Sequence, residues 1–184
     1  GPQPEPQPEG VAGHLQAAGS HYHEWGDRRG QGEVLLALGD LQIQFQGHLR
    51  DAREHFEAAL EIFVEIGDRR LEGVTRGHLG TVLESLGQPE EARRLRWQAV
   101  AIHREVGHRR MEAHELGNLV NGCLNEDRLD EGLALSDEAL AIARECGDRR
   151  IEGHVLGNRG LIHMGQLRLA EARRDFDDAL TIAR

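Results

Sequence analysis

The segment that decides the fold is HEWGDRR at residues 23–29, because related segments return along the chain at a nearly constant interval. The later copies are VEIGDRR at 64–70, REVGHRR at 104–110 and RECGDRR at 144–150. Their glycines are separated by 41, 40 and 40 residues and are Gly26, Gly67, Gly107 and Gly147. A fixed period over most of a chain is typical of repeat arrays, in which each copy is one supersecondary unit. We therefore predict a repeat protein.

Each copy of this segment has the chemistry of a joint between two helices. Glycine adopts the left-handed conformation that ends a helix, and the Asp after it can cap the next helix. The Arg-Arg pair that follows lies in a first helical turn, against the helix dipole, and needs acidic partners. Nearby glutamates can supply them: Glu24, Glu65, Glu105, Glu145, Glu72, Glu112 and Glu152. We expect ion pairs that link neighbouring repeats, with a basic ridge for an acidic partner as the alternative.

A second joint lies inside each period, at residues 47–52, 87–92, 127–132 and 167–172. Apolar residues then recur at helical spacing, as in Ala92, Leu95, Ala99 and Ile102. Each period is thus predicted to be two antiparallel helices. The predicted organisation is a Pro-rich tail or linker at 1–10, a degenerate helix at 11–25, and helix pairs near 28–65, 69–106, 109–146 and 149–184.

The residues at these positions resemble the tetratricopeptide repeats, whose pattern is Leu-Gly, a turn Gly, an early Ala and a late Ala-Leu. The second repeat carries Leu79-Gly80, Gly87, Ala92 and Ala99-Val100. The 40-residue period with Gly-Asp joints is similar to the longer-helix subclass of Pins-type adaptors, kinesin light chains and bacterial sensor arrays. The resemblance implies an all-α fold, a right-handed superhelical solenoid whose concave wall is made by the first helix of each pair.

The same resemblance assigns one stripe of side chains to that wall: Asp40, His78, Thr81, His114, Asn118, Asn121, His154 and Asn158. Asparagine offers both a donor and an acceptor, so a row of amides can hold a peptide backbone. For Asn118 and Asn158, peptide contact, a solvated side chain and a hydrogen bond within the helix all stay open. Protonation of the stripe histidines is a further hypothesis, because it would tune binding to an acidic peptide.

Composition argues against several other classes of protein. Lys and Arg number 22 against 32 for Asp and Glu, a net charge of -10, so we expect no nucleic-acid partner. Without an apolar run of about 20 residues, we expect no membrane partner and a cytoplasmic protein. No phosphate loop or hydrolase motif is present, so we predict neither an enzyme nor a cofactor.

Two groups of potential metal or redox residues receive ordinary structural interpretations. His14, His21 and His23 lack a paired ligand motif, so we interpret them as surface histidines and predict no metal site. Cys123 and Cys146 replace Leu83 and Val106 of another repeat. We therefore expect small core residues there, not a disulfide.

The predicted function is a scaffold or adaptor module that binds a peptide or protein segment in the concave groove. The alternative is a regulatory or sensor segment of a larger bacterial signalling protein, such as a kinase, ATPase or transcription activator. The last predicted helix lacks a covering neighbour on its apolar face, at Phe176, Ala179, Leu180 and Ile182. A homodimer through this helix, or packing of this helix against the next repeat of a longer chain, is therefore a further expectation.

Overall fold

A computed structural model describes residues 8–183, apart from the side chains of residues 8, 9, 45 and 46. These described residues form nine α-helices and no strand. The helices are α1 Pro8–Glu24, α2 Arg28–Gln46, α3 Leu49–Ile66, α4 Arg69–Ser85, α5 Pro89–Glu105, α6 Arg109–Asn125, α7 Leu129–Glu145, α8 Arg149–Gly165 and α9 Leu169–Ala183. Short turns of two or three residues connect them, so consecutive helices run antiparallel.

The joints between repeats turn at glycines in the left-handed conformation. Their φ angles lie between 67° and 72° at Gly26, Gly67, Gly107 and Gly147. The Asp after the glycine caps the next helix in three joints. The caps are Asp27 to the Gly30 N–H at 2.9 Å, Asp68 to the Leu71 N–H at 3.0 Å, and Asp148 to the Ile151 N–H at 2.9 Å. The third joint has His108 at this position, and its side chain makes no cap.

The turns inside the repeats use the same left-handed conformation with different residues. Gly47 and Gly87 have φ of 60° and 74°, whereas Asp127 and Leu167 have φ of 56° and 60°. A side chain makes this conformation unfavourable, less so for Asp than for Leu. The last two turns therefore carry backbone strain that glycine relieves in the first two.

The chain forms two compact units, residues up to 92 and residues from 93 onward, which divide within α5. In the first unit, α2 packs against α1 and α3, and α3 packs against α4. Phe56 and Phe63 of α3 are fully buried. Their rings lie against Gly39 and Gly32 of α2, where an added methyl group would overlap them. Glycine is therefore needed in α2 because aromatic rings occupy the space beside its backbone.

The second unit is built by α6 to α9 with most of α5, from residue 93 onward. The helices α6 and α7, α7 and α8, and α8 and α9 pack as neighbours, and α6 also packs against α8. Leu116, Leu140, Leu156 and Ile162 are among its fully buried side chains. Because α6 and α8 are the first helices of successive repeats, their packing brings equivalent positions of two repeats side by side.

Two expectations from the sequence need correction. The helix α1 begins at Pro8, inside the predicted tail of residues 1–10, because proline is tolerated in the first turn of a helix. Residues 1–7 of that tail lie outside the described residues. Cys123 is buried as expected, but Cys146 is exposed, and both are free thiols. Position 146 ends its helix just before the joint, where the equivalent Val106 is also exposed, so it is not a core position.

Candidate functional site

The paired arginines of the first and third joints bind acidic residues of the following joint. In the first unit, Arg28 pairs with Glu65, and Arg29 lies 3.4 Å from Asp68. In the second unit, Arg109 lies 3.0 Å from Glu145 and Arg110 lies 2.5 Å from Asp148. Each pair of arginines therefore connects the start of one repeat to the start of the next. This confirms the predicted inter-repeat ion pairs at these joints and leaves no free basic ridge there.

A buried glutamate strengthens the joint at two places in the second unit. Glu112 is fully buried and receives Arg109 at 2.6 Å and Arg104 at 2.8 Å. Glu152 receives Arg149 at 2.8 Å and Arg144 at 2.7 Å. In each case one arginine comes from the same helix and the other from the preceding helix. A single carboxylate therefore holds two helices together at the joint.

The predicted stripe begins in the first unit with residues that bind each other. The His78 Nδ1 atom lies 2.8 Å from the Asp40 Oδ1 atom, which joins α4 to α2. The His78 ring also meets the Phe56 ring edge-on, with centroids 5.2 Å apart. Thr81 is exposed, and its hydroxyl donates to the Gly77 carbonyl at 3.3 Å. These contacts orient the three predicted side chains, and Asp40 and Thr81 stay exposed to solvent.

In the second unit, His114 belongs to a buried ionic cluster between α5 and α6. Its Nδ1 atom lies 3.2 Å from Glu115, whose other oxygen accepts from Arg96 at 3.0 Å. Both Arg96 and Glu115 are buried. Burial alone would raise the pKa of Glu115, but the His114 hydrogen bond and the Arg96 charge hold it below its usual value. The cluster therefore fixes the position of His114 at the edge of α6.

His154 and Asn158 lie one turn apart on α8 and bind each other. The Asn158 Nδ2 atom lies 3.3 Å from the His154 Nε2 atom, and Asn158 is only 9% exposed. Desolvation of the ring, together with His114 and Arg150, lowers the pKa of His154. Of the two roles open for Asn158, the hydrogen bond within the helix is the one observed.

Asn118 and Asn121 differ from Asn158 in having unused amides. Both residues are half-buried on α6, and the described part of the chain gives their side chains no hydrogen bond. The neighbouring helix approaches closely, because a methyl group at Gly117 would lie 3.1 Å from the Val155 Cγ2 atom and 3.7 Å from the His154 Nδ1 atom. His154 therefore lies beside the α6 amides. We call Asn118, Asn121 and His154, with the backbone that carries them, the α6–α8 wall.

The α6–α8 wall also has an apolar member, Leu161, which is not among the predicted stripe residues. Leu161 lies seven residues after His154, on the same side of α8, and is 38% exposed. Nothing lies within 4 Å of the place where a Cβ would stand at Gly157, so the surface beside it is open. The 40-residue period was the available signal, because it aligns Leu161 with Asn121 and Thr81. The predicted stripe contains only polar residues, so it does not include Leu161.

The described residues contain no group of three or more His, Cys, Asp and Glu side chains that could hold a metal ion. None of their helices has the length and apolar character needed to cross a bilayer.

The repeated helix pairs and their joints define the class of protein: the chain is an all-α helical repeat solenoid. Residues 30–105 match the family model of the tetratricopeptide repeat. This match and the similar solved structures support a tetratricopeptide-repeat protein, the family that the Leu-Gly and Gly-Asp patterns predicted. That family is typically a non-catalytic protein-interaction fold.

Several solved structures are similar to this chain. BtubC (BKLC) from P. vanneervenii aligns with a TM-score of 0.76 at 17% identity, over 96% of this chain and 80% of that one. Nearly identical repeats of a Podosopora anserina putative kinesin light chain align with a TM-score of 0.61 at 14% identity, over 96% of both chains. YrrB aligns with a TM-score of 0.63 at 21% identity, over 94% of this chain and 79% of that one. At these identities the likeness shows the fold. No curated protein matches the chain.

Proposed function

We propose that this chain is a protein-interaction module that holds a peptide segment of its partner against the α6–α8 wall. The observation that carries the proposal is the pair of unused amides, Asn118 and Asn121, one turn apart on an accessible helix face. A half-buried amide that has no partner in the protein is open to a ligand, and a peptide backbone offers it both a donor and an acceptor.

The rest of the wall suggests how the segment is held. His154 adds a ring nitrogen beside the amides, and Leu161 adds an exposed apolar contact on α8. This combination suits an extended segment whose backbone meets α6 while one apolar side chain meets Leu161. In the first unit, Asp40, His78 and Thr81 are the equivalent candidates for peptide contact.

Two similar structures support a peptide as the ligand. YrrB is described as a protein of this family with an unusual peptide-binding site. A Rap protein crystallised with Competence and Sporulation Factor aligns with a TM-score of 0.69 at 14% identity, over 96% of this chain and 59% of that one. Both descriptions concern those proteins, and they make peptide binding the first activity to test in this chain.

The test starts from a peptide selected on the protein from a random 12-residue phage-display library. Its affinity is measured by fluorescence polarisation for the wild type, for Asn118→Ala/Asn121→Ala and for Thr181→Ala on α9. We expect the double variant to bind about tenfold more weakly, because each lost amide removes roughly 0.5–1.5 kcal/mol. Thr181→Ala is the control, because among the described residues its hydroxyl bonds only to the Asp177 carbonyl of its own helix.

Asn158→Ala completes the set, because the buried Asn158 amide is already bonded to His154. We expect it to change affinity less than the Asn118→Ala/Asn121→Ala variant does. Equal affinity for the wild type and the double variant, with unchanged melting temperatures, would overturn the placement on the α6–α8 wall.

A second candidate function is a regulatory or sensor segment of a larger bacterial signalling protein. The Rap alignment favours it, because this chain matches little more than half of that protein. The nature of the ligand separates the two functions. A sensor segment would bind a short free peptide, whereas an adaptor would bind the same sequence within a folded partner.

A further inference from the structure

Two histidines, His114 and His154, occupy equivalent positions in successive repeats, and each precedes an Asn by one helical turn. Their hydrogen bonds nevertheless differ. The His114 Nδ1 atom lies 3.2 Å from the Glu115 carboxylate. The His154 Nε2 atom lies 3.3 Å from the Asn158 Nδ2 atom. Each ring therefore leaves a different nitrogen free, Nε2 in His114 and Nδ1 in His154.

The free nitrogen of His114 is a hydrogen-bond acceptor. The lowered pKa of Glu115 keeps its carboxylate ionised, and an ionised carboxylate only accepts hydrogen bonds. The hydrogen of the neutral His114 ring therefore lies on Nδ1, and Nε2 keeps a lone pair. The side chain is 35% exposed, and the described residues give its Nε2 atom no partner. This nitrogen is therefore open to an N–H group of a ligand.

The free nitrogen of His154 is a hydrogen-bond donor. The Asn158 Nδ2 group only donates, so the His154 Nε2 atom accepts from it. Desolvation, together with His114 and Arg150, lowers the pKa of His154, so its ring is neutral at about pH 8. The single hydrogen of that ring lies on Nδ1. His154 is exposed, and its Nδ1 atom lies near Gly117 of α6, so this donor is open to a carbonyl group of a ligand.

The residue after each histidine sets this difference. In the later repeat that residue is Val155, a buried side chain that cannot bind the ring. In the earlier repeat it is Glu115, which lies 3.0 Å from Arg96, and both of these side chains are at most 5% exposed. An apolar pair such as the first repeat's Phe56 would permit is often as stable as a buried ion pair. Stability alone therefore does not account for the ion pair, whereas the orientation of His114 does.

We propose that His114 and His154 are specificity-determining residues of opposite polarity, with His114 as the acceptor and His154 as the donor for the backbone of a bound segment. This inference rests on the proposed binding of a peptide at the α6–α8 wall. A segment that presents an N–H to α6 and a carbonyl to α8 satisfies both rings, whereas the reversed arrangement brings like groups together. Arg96 and Glu115 are positioning residues, because they keep the His114 ring from turning to the Asn118 amide.

Long-range proton–nitrogen NMR of the free protein at about pH 8 tests the ring assignments without a ligand. We expect hydrogen on Nδ1 in both His114 and His154, although the form with hydrogen on Nε2 is the more stable one in free histidine. The variants His114→Phe and His154→Phe identify the two sets of signals. Asn158→Ala should shift His154 toward the Nε2–H form and leave His114 unchanged.

Analogues of the phage-selected peptide, in which one backbone N–H at a time is replaced by an ester oxygen, test the acceptor. We expect one ester to weaken binding to the wild type about fivefold, because it lacks the N–H that His114 accepts. The same ester should cost less than about twofold in His114→Phe, where that acceptor is absent. Thr181→Ala should keep the full loss.

The positioning role is tested with Arg96→Phe/Glu115→Val, which supplies the apolar residues that other repeats carry at these positions, Phe56 and Val155. Without the carboxylate, the His114 ring takes the Nε2–H form or binds Asn118 through Nε2. Either outcome removes the free acceptor, so the ester should again cost less than about twofold. Melting temperature and circular dichroism check that this variant folds.

A His114 ring with hydrogen on Nε2, or on both nitrogens, would overturn the inference. An ester loss that stays the same in His114→Phe would also overturn it. If Asn118→Ala/Asn121→Ala still weakens binding in that case, the proposed function stands and only the role of His114 fails. Peptide binding that is unaffected by Asn118→Ala/Asn121→Ala would instead overturn the proposed function, and this inference with it.

Discussion

The joints between repeats and the turns within repeats share one backbone conformation but differ in chemistry. Both reverse the chain through a residue with φ between 56° and 74°. The joints between repeats keep glycine all four times, whereas the turns within repeats use Gly47, Gly87, Asp127 and Leu167. Side-chain caps and buried carboxylates occur at the joints, and Arg128 in the third turn makes no cap.

Reversing the chain and connecting the repeats therefore depend on different features of the sequence. A turn needs only a residue that tolerates a left-handed backbone, and even leucine does so at a cost. A joint must also place an acidic cap and two arginines where the neighbouring repeat can bind them. Substitutions at the joints should therefore have larger effects than equivalent substitutions at the turns.

The largest effect is expected from the buried carboxylate of the third joint. Glu112→Gln removes the charge that Arg104 and Arg109 share, and we expect the free energy of unfolding to fall by about 2 kcal/mol. The cost stays below that of a fully buried pair because both arginines are about half exposed. Urea unfolding followed by circular dichroism measures it.

Glu131→Gln is the control for this comparison. Glu131 lies 3.4 Å from Arg128 at the third turn and is exposed, so we expect a change below about 0.5 kcal/mol. If the two variants lose the same stability, joints and turns do not differ as described.

A pH effect should distinguish the third joint from the first two. His103 is fully buried beside His108, and neither of its ring nitrogens has a hydrogen-bond partner within residues 8–183. Burial lowers its pKa to about 4 from an ordinary value of 6.5. The stability of the neutral form is complete above pH 6.5 and is lost as the pH falls toward 4. We expect the free energy of unfolding to fall by about 2 kcal/mol between pH 7.5 and pH 5.

The variant His103→Phe tests the source of this pH dependence. Phe63 occupies the equivalent position in the first repeat and is fully buried. A phenyl ring therefore suits position 103. Urea unfolding at both pH values should show a much smaller loss for the variant. An unchanged loss would assign the pH dependence to other groups, of which His154 and His163 also have lowered pKa values.

Backbone strain at a joint is the next largest effect. Gly107→Val places a β-branched residue at φ 69°, and we expect a loss of about 1–2 kcal/mol. No atom lies within 4 Å of the new Cβ, so the loss would measure conformation without overlap. Gly122→Ala in α6 has equally open surroundings but a helical backbone, and it should gain stability. A loss in both variants would contradict a left-handed joint.

The smallest effect is expected at the last turn. Leu167→Gly relieves a left-handed leucine, and we expect a gain of about 0.5–1 kcal/mol in thermal unfolding. Little packing is lost, because Leu167 is 82% exposed. Asp127→Gly should gain less, since Asp tolerates this conformation better. A loss of stability at Leu167 would show that its side chain has an unrecognised contact.

The sequence predicted the fold well because helix ends have local causes. Gly-Asp joints and apolar spacing act over a few residues, so α2 and α8 begin at residues 28 and 149, where two of the predicted helix pairs begin. The candidate site depended on contacts between helices, which the repeat period alone does not give. Asn118 and Asn158 occupy equivalent positions, yet only Asn158 has a histidine one turn earlier on its helix within bonding distance. In α6 the equivalent His114 turns to Glu115 instead, a choice set by the buried Arg96.

The ion pairs of the paired arginines also determine how ionic strength acts on the molecule. The side chains of Arg28, Arg109 and Arg110 are about half exposed or more, so dissolved ions compete for them, whereas the apolar cores beneath respond to salt much less. Raising the salt concentration should loosen the connection between neighbouring repeats before it disturbs the helices themselves. Amide protons at the joints would then exchange sooner in salt, while those within each helix pair keep their protection. In this sense the joints are electrostatic hinges, and the stiffness of the array follows the surrounding electrolyte.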